Sequence, residues 1–209
     1  RLCPPVPRLM RPALFSAMGS SWAVFCDQPA LLRGAQGLIE DAERRLSRFV
    51  PTSALSRLNT DRIVRDELLA AVIDAALRLR TATMGAFDPT IGDTLVGLGY
   101  DRSFPDLDGQ ARPMFNRDPP PLDVVFDGDV VRLRGPGRLD LGGIAKGFTV
   151  DRAHDWLERQ GATAILVDGG GDLRGGGGAW PVGVGPGAAV HLNGDAVATS
   201  CTLKRCWTT

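Results

Sequence analysis

The segment 124–133 places the firmest limit on the fold. Two apolar runs, 124–126 and 130–133, flank Asp127-Gly128, a pair favoured in type I′ turns, so the spacing predicts a β-hairpin. A hairpin imposes antiparallel pairing, which excludes a purely parallel, doubly wound sheet. Helical periodicity then appears three times. Residues 30–49 carry Leu31, Leu32, Ala35, Leu38, Ile39, Ala42, Leu46 and Phe49 on one face, with Pro51 expected to end the run. Asp66 reads as the N-cap of a helix over 66–84, with Gly85 as its stop. Residues 143–160 read as a third helix, ending at Gly161. Short strands are expected on both sides of Met18-Gly19-Ser20 within 14–26, at 139–141, at 164–167, near 181–185 and over 196–200, with mostly loop at 86–121. Mixed strands and helices with an antiparallel element give the class α+β, and with no linker or repeat in view one domain is expected.

Charge narrows the function. Twenty-four basic and 24 acidic side chains in 209 residues leave a formal net charge of zero, which removes any general attraction to nucleic acid or an anionic membrane. No apolar run approaches the ~18 residues that a membrane-spanning helix needs. The opening RLCPPVPRLMRP lacks the sustained apolar core of a secretory signal. A cytoplasmic location is the default expectation; membrane association or an extracytoplasmic site is the alternative if residues precede Arg1. Cys3, Cys26, Cys201 and Cys206 form no C-x-x-C pair, so neither zinc nor a dithiol redox site is indicated, and four unrelated thiols are expected. His154 and His191 are expected to be solvated or structural. Lys146 and Lys204 are the only lysines, the other basic residues being arginine.

The chemistry concentrates in LDLGGIAKGFTVDRA, residues 139–153. A strand ending near Asp140 would deliver the chain through Gly142-Gly143 into a helix whose first turn carries Lys146. A helix start offers free N–H groups and a positive dipole end to a phosphate, glycines let the ligand approach, and a lysine adds a compact charge. A plain strand–helix turn with a surface lysine is the alternative. The segment is not a Walker A loop, and Gly135 and Gly137 do not open a G-x-G-x-x-G. Asp88 precedes Pro89 in a loop after a helix, which is also ordinary turn chemistry. DGGGDLRGGGG, 168–178, is either a tight turn or a cradle for phosphate or for a cation between Asp168 and Asp172.

Together these segments resemble one family, the ApbE-type flavin transferases. The resemblance rests on Met18-Gly19-Ser20, SRFVPTSALSRLN (47–59), GAFDPTIG (85–92), LDLGGIAKGFTVDRA (139–153), LVDGGGDLRG (166–175) and AVATSCTLKRCW (196–207), in family order from Met18 onward. It implies an ApbE-like, T-fold-related mixed sheet with packed helices. It implies a flavin pocket lined by Met18, Phe49, Ala86, Phe87, Asp88, Asp140 and Lys146, with Asp140 and Lys146 the catalytic candidates. It implies that Gly143 gives a magnesium ion its backbone carbonyl. The implied reaction is Mg²⁺-dependent transfer of FMN from FAD to a Thr or Ser hydroxyl of a target flavoprotein, with release of AMP. The alternative is an FAD-binding module or an FAD pyrophosphatase without transfer.

The resemblance stops short at the C-terminus. Family members continue into an H-x-I-D-P-x-T-G segment and an A-D-A-x-x-T segment, which supply a His near the flavin phosphates and the magnesium-binding Asp and Thr; none occurs here. The single domain over 1–209 is therefore expected to be incomplete at its C-terminus, and this form of it to be inactive.

Overall fold

The computed structural model describes residues 10–103, 106–107, 119–185 and 187–200. These residues group into two compact units, one of 10–41 with 146–200 and one of 42–145.

The first unit is built on an antiparallel five-stranded sheet of order β1-β2-β6-β7-β10. Its strands are β1 (Ala13–Ala17), β2 (Ser20–Cys26), β6 (Ile165–Asp168), β7 (Asp172–Gly176) and β10 (Ala196–Ala198). Met18 and Gly19 join β1 to β2, both at positive φ (51° and 65°), as a type I′ turn requires. Strand alternation sorts the side chains. Trp22, Val24 and Cys26 of β2, with Ile165 and Val167 of β6, pack with Ala35 and Ile39 of α1 (Leu32–Leu46) and with Val150, Ala153 and Leu157 of α5 (Ala145–Arg159). The opposite face sets Phe25, Leu166 and Leu173 against Trp180 and Leu192 of a second hairpin, β8 (Trp180–Gly185) and β9 (Ala188–Leu192). Trp22 centres the first cluster: it is 1% exposed and its indole N–H donates to the Ala17 carbonyl at 2.8 Å. Gly169 closes over that ring, since a Cβ there would lie 3.0 Å from Trp22 Cη2.

The second unit holds the sheet β3-β5-β4, with β3 (Ile63–Arg65), β4 (Asp123–Asp127) and β5 (Val130–Arg134). The helices here are α2 (Ala54–Asp61), α3 (Glu67–Ala82) and α4 (Gly92–Gly97). Asp66 caps α3 as expected, accepting from the Leu69 N–H at 2.8 Å while Arg45 grips its carboxylate at 2.7 Å. Burial pushes that carboxyl up, but Arg45 and the helix N–H groups outweigh it and hold the carboxyl below its usual range.

Several expectations give way. Asp127 pairs with Val130, so the β4–β5 loop is Gly128-Asp129; only Gly128 has positive φ (59°), the pattern of a type II′ turn rather than I′. The first helix ends at Leu46, well before Pro51, and a new one starts at Ala54, where the Ser53 hydroxyl accepts the Ser56 N–H at 2.9 Å. Residues 92–97 are helix within the expected loop. Residues 139–141 form no strand. Instead the Asn59 amide takes the place of a neighbouring strand, accepting the Leu139 N–H at 2.8 Å and donating to the Leu139 carbonyl at 2.9 Å. Cys26 is a free, buried thiol, and Cys3, Cys201 and Cys206 lie outside the described residues. No helix among the described residues is long and apolar enough to cross a membrane.

Candidate functional site

In the second unit, four of the sequence-derived positions meet around the turn that leads into α5. Asp140 sets that turn by accepting the Gly142 N–H at 2.9 Å, and its own N–H donates to the Pro89 carbonyl at 2.8 Å, tying the turn to the Phe87-Asp88-Pro89 loop. Gly143 lies against Phe87, for a Cβ at Gly143 would stand 2.9 Å from the ring edge. Here glycine is required by close approach, since a side chain would displace the ring. Phe49 joins through Arg48, whose guanidinium lies 4.2 Å from the Phe49 ring centroid and bonds Asp140 Oδ2 at 2.6 Å.

Asp88 serves its own loop first. Its Oδ1 accepts from the Thr90 N–H at 2.8 Å and hydroxyl at 2.7 Å, and its Oδ2 pairs with Arg80 at 3.1 Å. That arrangement fixes the backbone that presents Ala86, exposed, and Phe87, half-buried. The adjoining surface carries a cavity of about 830 Å³ lined by Arg48, Asn59, Arg62, Asp101 and Arg138, among others.

The first unit holds Met18 and Lys146. The Met18-Gly19 turn closes one end of the sheet, and the glycine turn 168–172 closes beside it, a Cβ at Gly170 reaching Ser20 Cβ at 3.0 Å. Met18 is half-buried against the Trp22 cluster. Left-handed backbone costs an ordinary L-residue about 1–2 kcal/mol, so a methionine held there is the kind of strained residue found near functional sites. Lys146 extends from the first turn of α5 to Asp172 Oδ2 at 3.2 Å, the two side chains 22% and 25% exposed. Asp168 does the work of a turn residue, its Oδ1 accepting the Gly170 N–H at 2.7 Å.

Sequence reasoning passed over Arg48, Tyr100, Asn59 and Arg80. Arg48 and Asn59 stand within a motif that carries the resemblance, and nothing in their spacing announces partners some 50–90 positions away.

Magnesium needs about six oxygen ligands. Gly143 offers one carbonyl, while both Asp140 oxygens are engaged by Arg48 and Gly142, and Asp172 is paired with Lys146. The described residues do not fit a magnesium site. A second group also fails as a cation site: His154, Asp155 and Glu158 bring ligand atoms within 4.8 Å of one another, but Asp155 Oδ1 already accepts from Arg174 at 2.9 Å.

His154 is nonetheless informative. It is 4% exposed, contrary to a solvated site, and neither ring nitrogen has a hydrogen-bond partner among the described residues. Burial, then the Arg174 charge, lower its pKa from 6.5, against the opposing pull of Glu158, Asp155 and Asp151. The unfolded chain therefore binds a proton that the folded one refuses. Stability should be full above pH 6.5 and fall as pH drops below it, before the carboxylates titrate near pH 4. Urea melts across that window should show the slope in the native chain and lose it in His154→Gln; an unchanged slope would reject the assignment.

Comparison with known proteins identifies the family. The ApbE family model matches residues 18–209. The chain is 28% identical over 152 residues to the FAD:protein FMN transferase of Haemophilus influenzae, covering 66% of this chain and 44% of that protein. It is 32% identical over 149 residues to the FAD:protein FMN transferase of Treponema pallidum, covering 65% and 41%. Each match thus spans less than half of the relative's length. Among solved structures, the flavinyl transferase ApbE of Pseudomonas stutzeri superposes with a TM-score of 0.77 at 23% identity, over 92% of this chain and 69% of that one. The ApbE protein of Thermotoga maritima gives 0.77 at 25% identity, over 92% and 70%. With the α+β fold, the D-L-G-G-I-A-K turn and the family match all in agreement, this chain belongs to the ApbE family.

Proposed function

We propose that this chain carries the flavin-binding part of an FAD:protein FMN transferase. The observation that carries the reading is Lys146 in the first turn of α5, directly after the turn that Asp140 sets through Gly142. A helix start and an ammonium group both favour phosphate oxygens, so this segment suits the pyrophosphate of FAD. Phe49 and Phe87 supply apolar surface for a ring system. In the reaction, a Thr or Ser hydroxyl of a target flavoprotein attacks the FMN-side phosphorus. The new O–P bond forms as the anhydride P–O bond breaks, the hydroxyl proton departs, and AMP leaves. Lys146 and the α5 N–H groups hold the phosphate charge, which is the main demand of phosphoryl transfer.

The test is to incubate the chain with FAD, Mg²⁺ and an acceptor flavoprotein, with an EDTA control. In-gel flavin fluorescence reads the acceptor and chromatography reads AMP. Covalent flavin with matching AMP supports the proposal. Free FMN and AMP without labelling would replace it with a pyrophosphatase, retained FAD without conversion with a binding module. Absence of FAD binding would reject the flavin site altogether.

A further inference from the structure

We infer that Arg48 is the positioning residue of this site: it holds the Phe49–Tyr100 aromatic pair and the Asp140 carboxylate as one unit. This deepens the flavin-site reading and rests on it for its functional half.

Four contacts from one guanidinium carry the inference. Arg48 Nε donates to Asp140 Oδ2 at 2.6 Å, and a terminal nitrogen donates to the Tyr100 carbonyl at 2.6 Å. Its central carbon lies 4.2 Å from the Phe49 centroid and 4.6 Å from that of Tyr100. The two rings are themselves 5.3 Å apart and tilted by 58°. The Arg48 and Asp140 side chains are only 10% and 11% exposed. So little water reaches this pair that neither charge is well solvated without the other. The Ser56 hydroxyl donates to the Arg48 carbonyl at 3.2 Å and holds the backbone behind it.

A planar, always-charged fork can do all of this at once; a lysine, a point charge on a flexible stem, could bond one oxygen but could not also serve the Tyr100 carbonyl and both rings. Three loops distant in sequence, after α1, after α4 and before α5, thereby move together. With Oδ2 held by Arg48, Asp140 Oδ1 stays aimed at the Gly142 N–H. Arg48 therefore acts on the Gly142-Gly143 turn and on the Phe49 ring, not on the flavin itself.

Tyr100 is the sole tyrosine of the chain, so selectively labelled tyrosine gives a single ring system by NMR. Asp140→Asn should shift that signal in the native chain and should not shift it in an Arg48→Gln background, because Arg48 is the connection. Equal shifts in both backgrounds, or none in either, would overturn the inference. FAD affinity, read by flavin fluorescence quenching, supplies the functional half. Loss of a charge-assisted bond predicts weakening of about tenfold or more for Asp140→Asn, Arg48→Gln and Arg48→Lys, with the Arg48→Gln/Asp140→Asn double variant no weaker than Asp140→Asn alone. The double variant leaves no unpaired charge, and thermal melts verify that each protein is folded. If Asp140→Asn weakens FAD binding while the Arg48 variants do not, the positioning role falls and the flavin site stands. If Asp140→Asn leaves FAD affinity unchanged, the flavin-site reading falls and takes the functional half with it.

Discussion

Trp22→Ala should cost about 3–5 kcal/mol of folding stability, the range for truncating a large, fully buried aromatic. Set against a typical total of about 5–15 kcal/mol, that is a large fraction of what holds the chain folded. The ring is enclosed on every side that the fold provides. Phe15 stacks on it at 6.4 Å with an 11° interplanar angle, α1 and α5 contribute Ile39 and Val150 to the same cluster, and Gly169 sits over its edge. The substitution also strips the Ala17 carbonyl of its indole donor at the base of the Met18-Gly19 turn. Such a cavity cannot close by one side chain moving, because strand and helix positions are fixed by their own hydrogen bonds. Guanidinium denaturation should show the midpoint falling sharply. A loss under about 1 kcal/mol would mean the cluster repacks, and the account of this core would be wrong.

Lys146→Ala should weaken FAD binding by about ten- to a hundredfold, the equivalent of one charge-assisted hydrogen bond to phosphate. The pairing with Asp172 sharpens the expectation. Without the lysine, the Asp172 carboxylate loses its one cationic partner among the described residues, and it would repel the pyrophosphate. Asp172→Asn should act in the opposite direction: it frees the ammonium group for phosphate and should hold or raise affinity. Titration of FAD by fluorescence separates the two variants. If both weaken binding equally, Lys146 is being oriented by Asp172 rather than restrained by it. If neither changes affinity, the α5 terminus is not the phosphate site.

The helices and hairpins were legible in the sequence where local signals agree with tertiary demands. Asp66 announces α3 because a carboxylate followed by an amphipathic run has one obvious use, and Gly161 ends α5 for a similarly local reason. At 139–141 the apolar pattern is real, yet its partner is the Asn59 side chain rather than a strand, so no strand forms. The hairpin at 124–133 forms as its pattern predicts, but its turn lies one residue further on, since Asp-Gly and Gly-Asp satisfy different turn types and only pairing register selects between them. Of the site, the motif residues could be named, but the Arg48 junction could not. Its meaning depends on Tyr100 and Asp140 arriving from distant segments, and no periodicity records that.

The order of segments also sets a schedule for the growing chain. Strand β2 finds its partner β6 only when residues 165–168 exist, and between them lie all the described residues of the second unit, 42–145. At about 5–20 residues per second, the N-terminal hairpin waits roughly 7–30 seconds for β6 and α5, with Trp22, Val24 and Cys26 covered by α1 alone. The intervening unit contains its own sheet and helices in one continuous stretch and can close during that interval. Synthesis thus finishes the middle before the beginning, and the interval of greatest exposure to misassembly belongs to the hairpin that carries Met18.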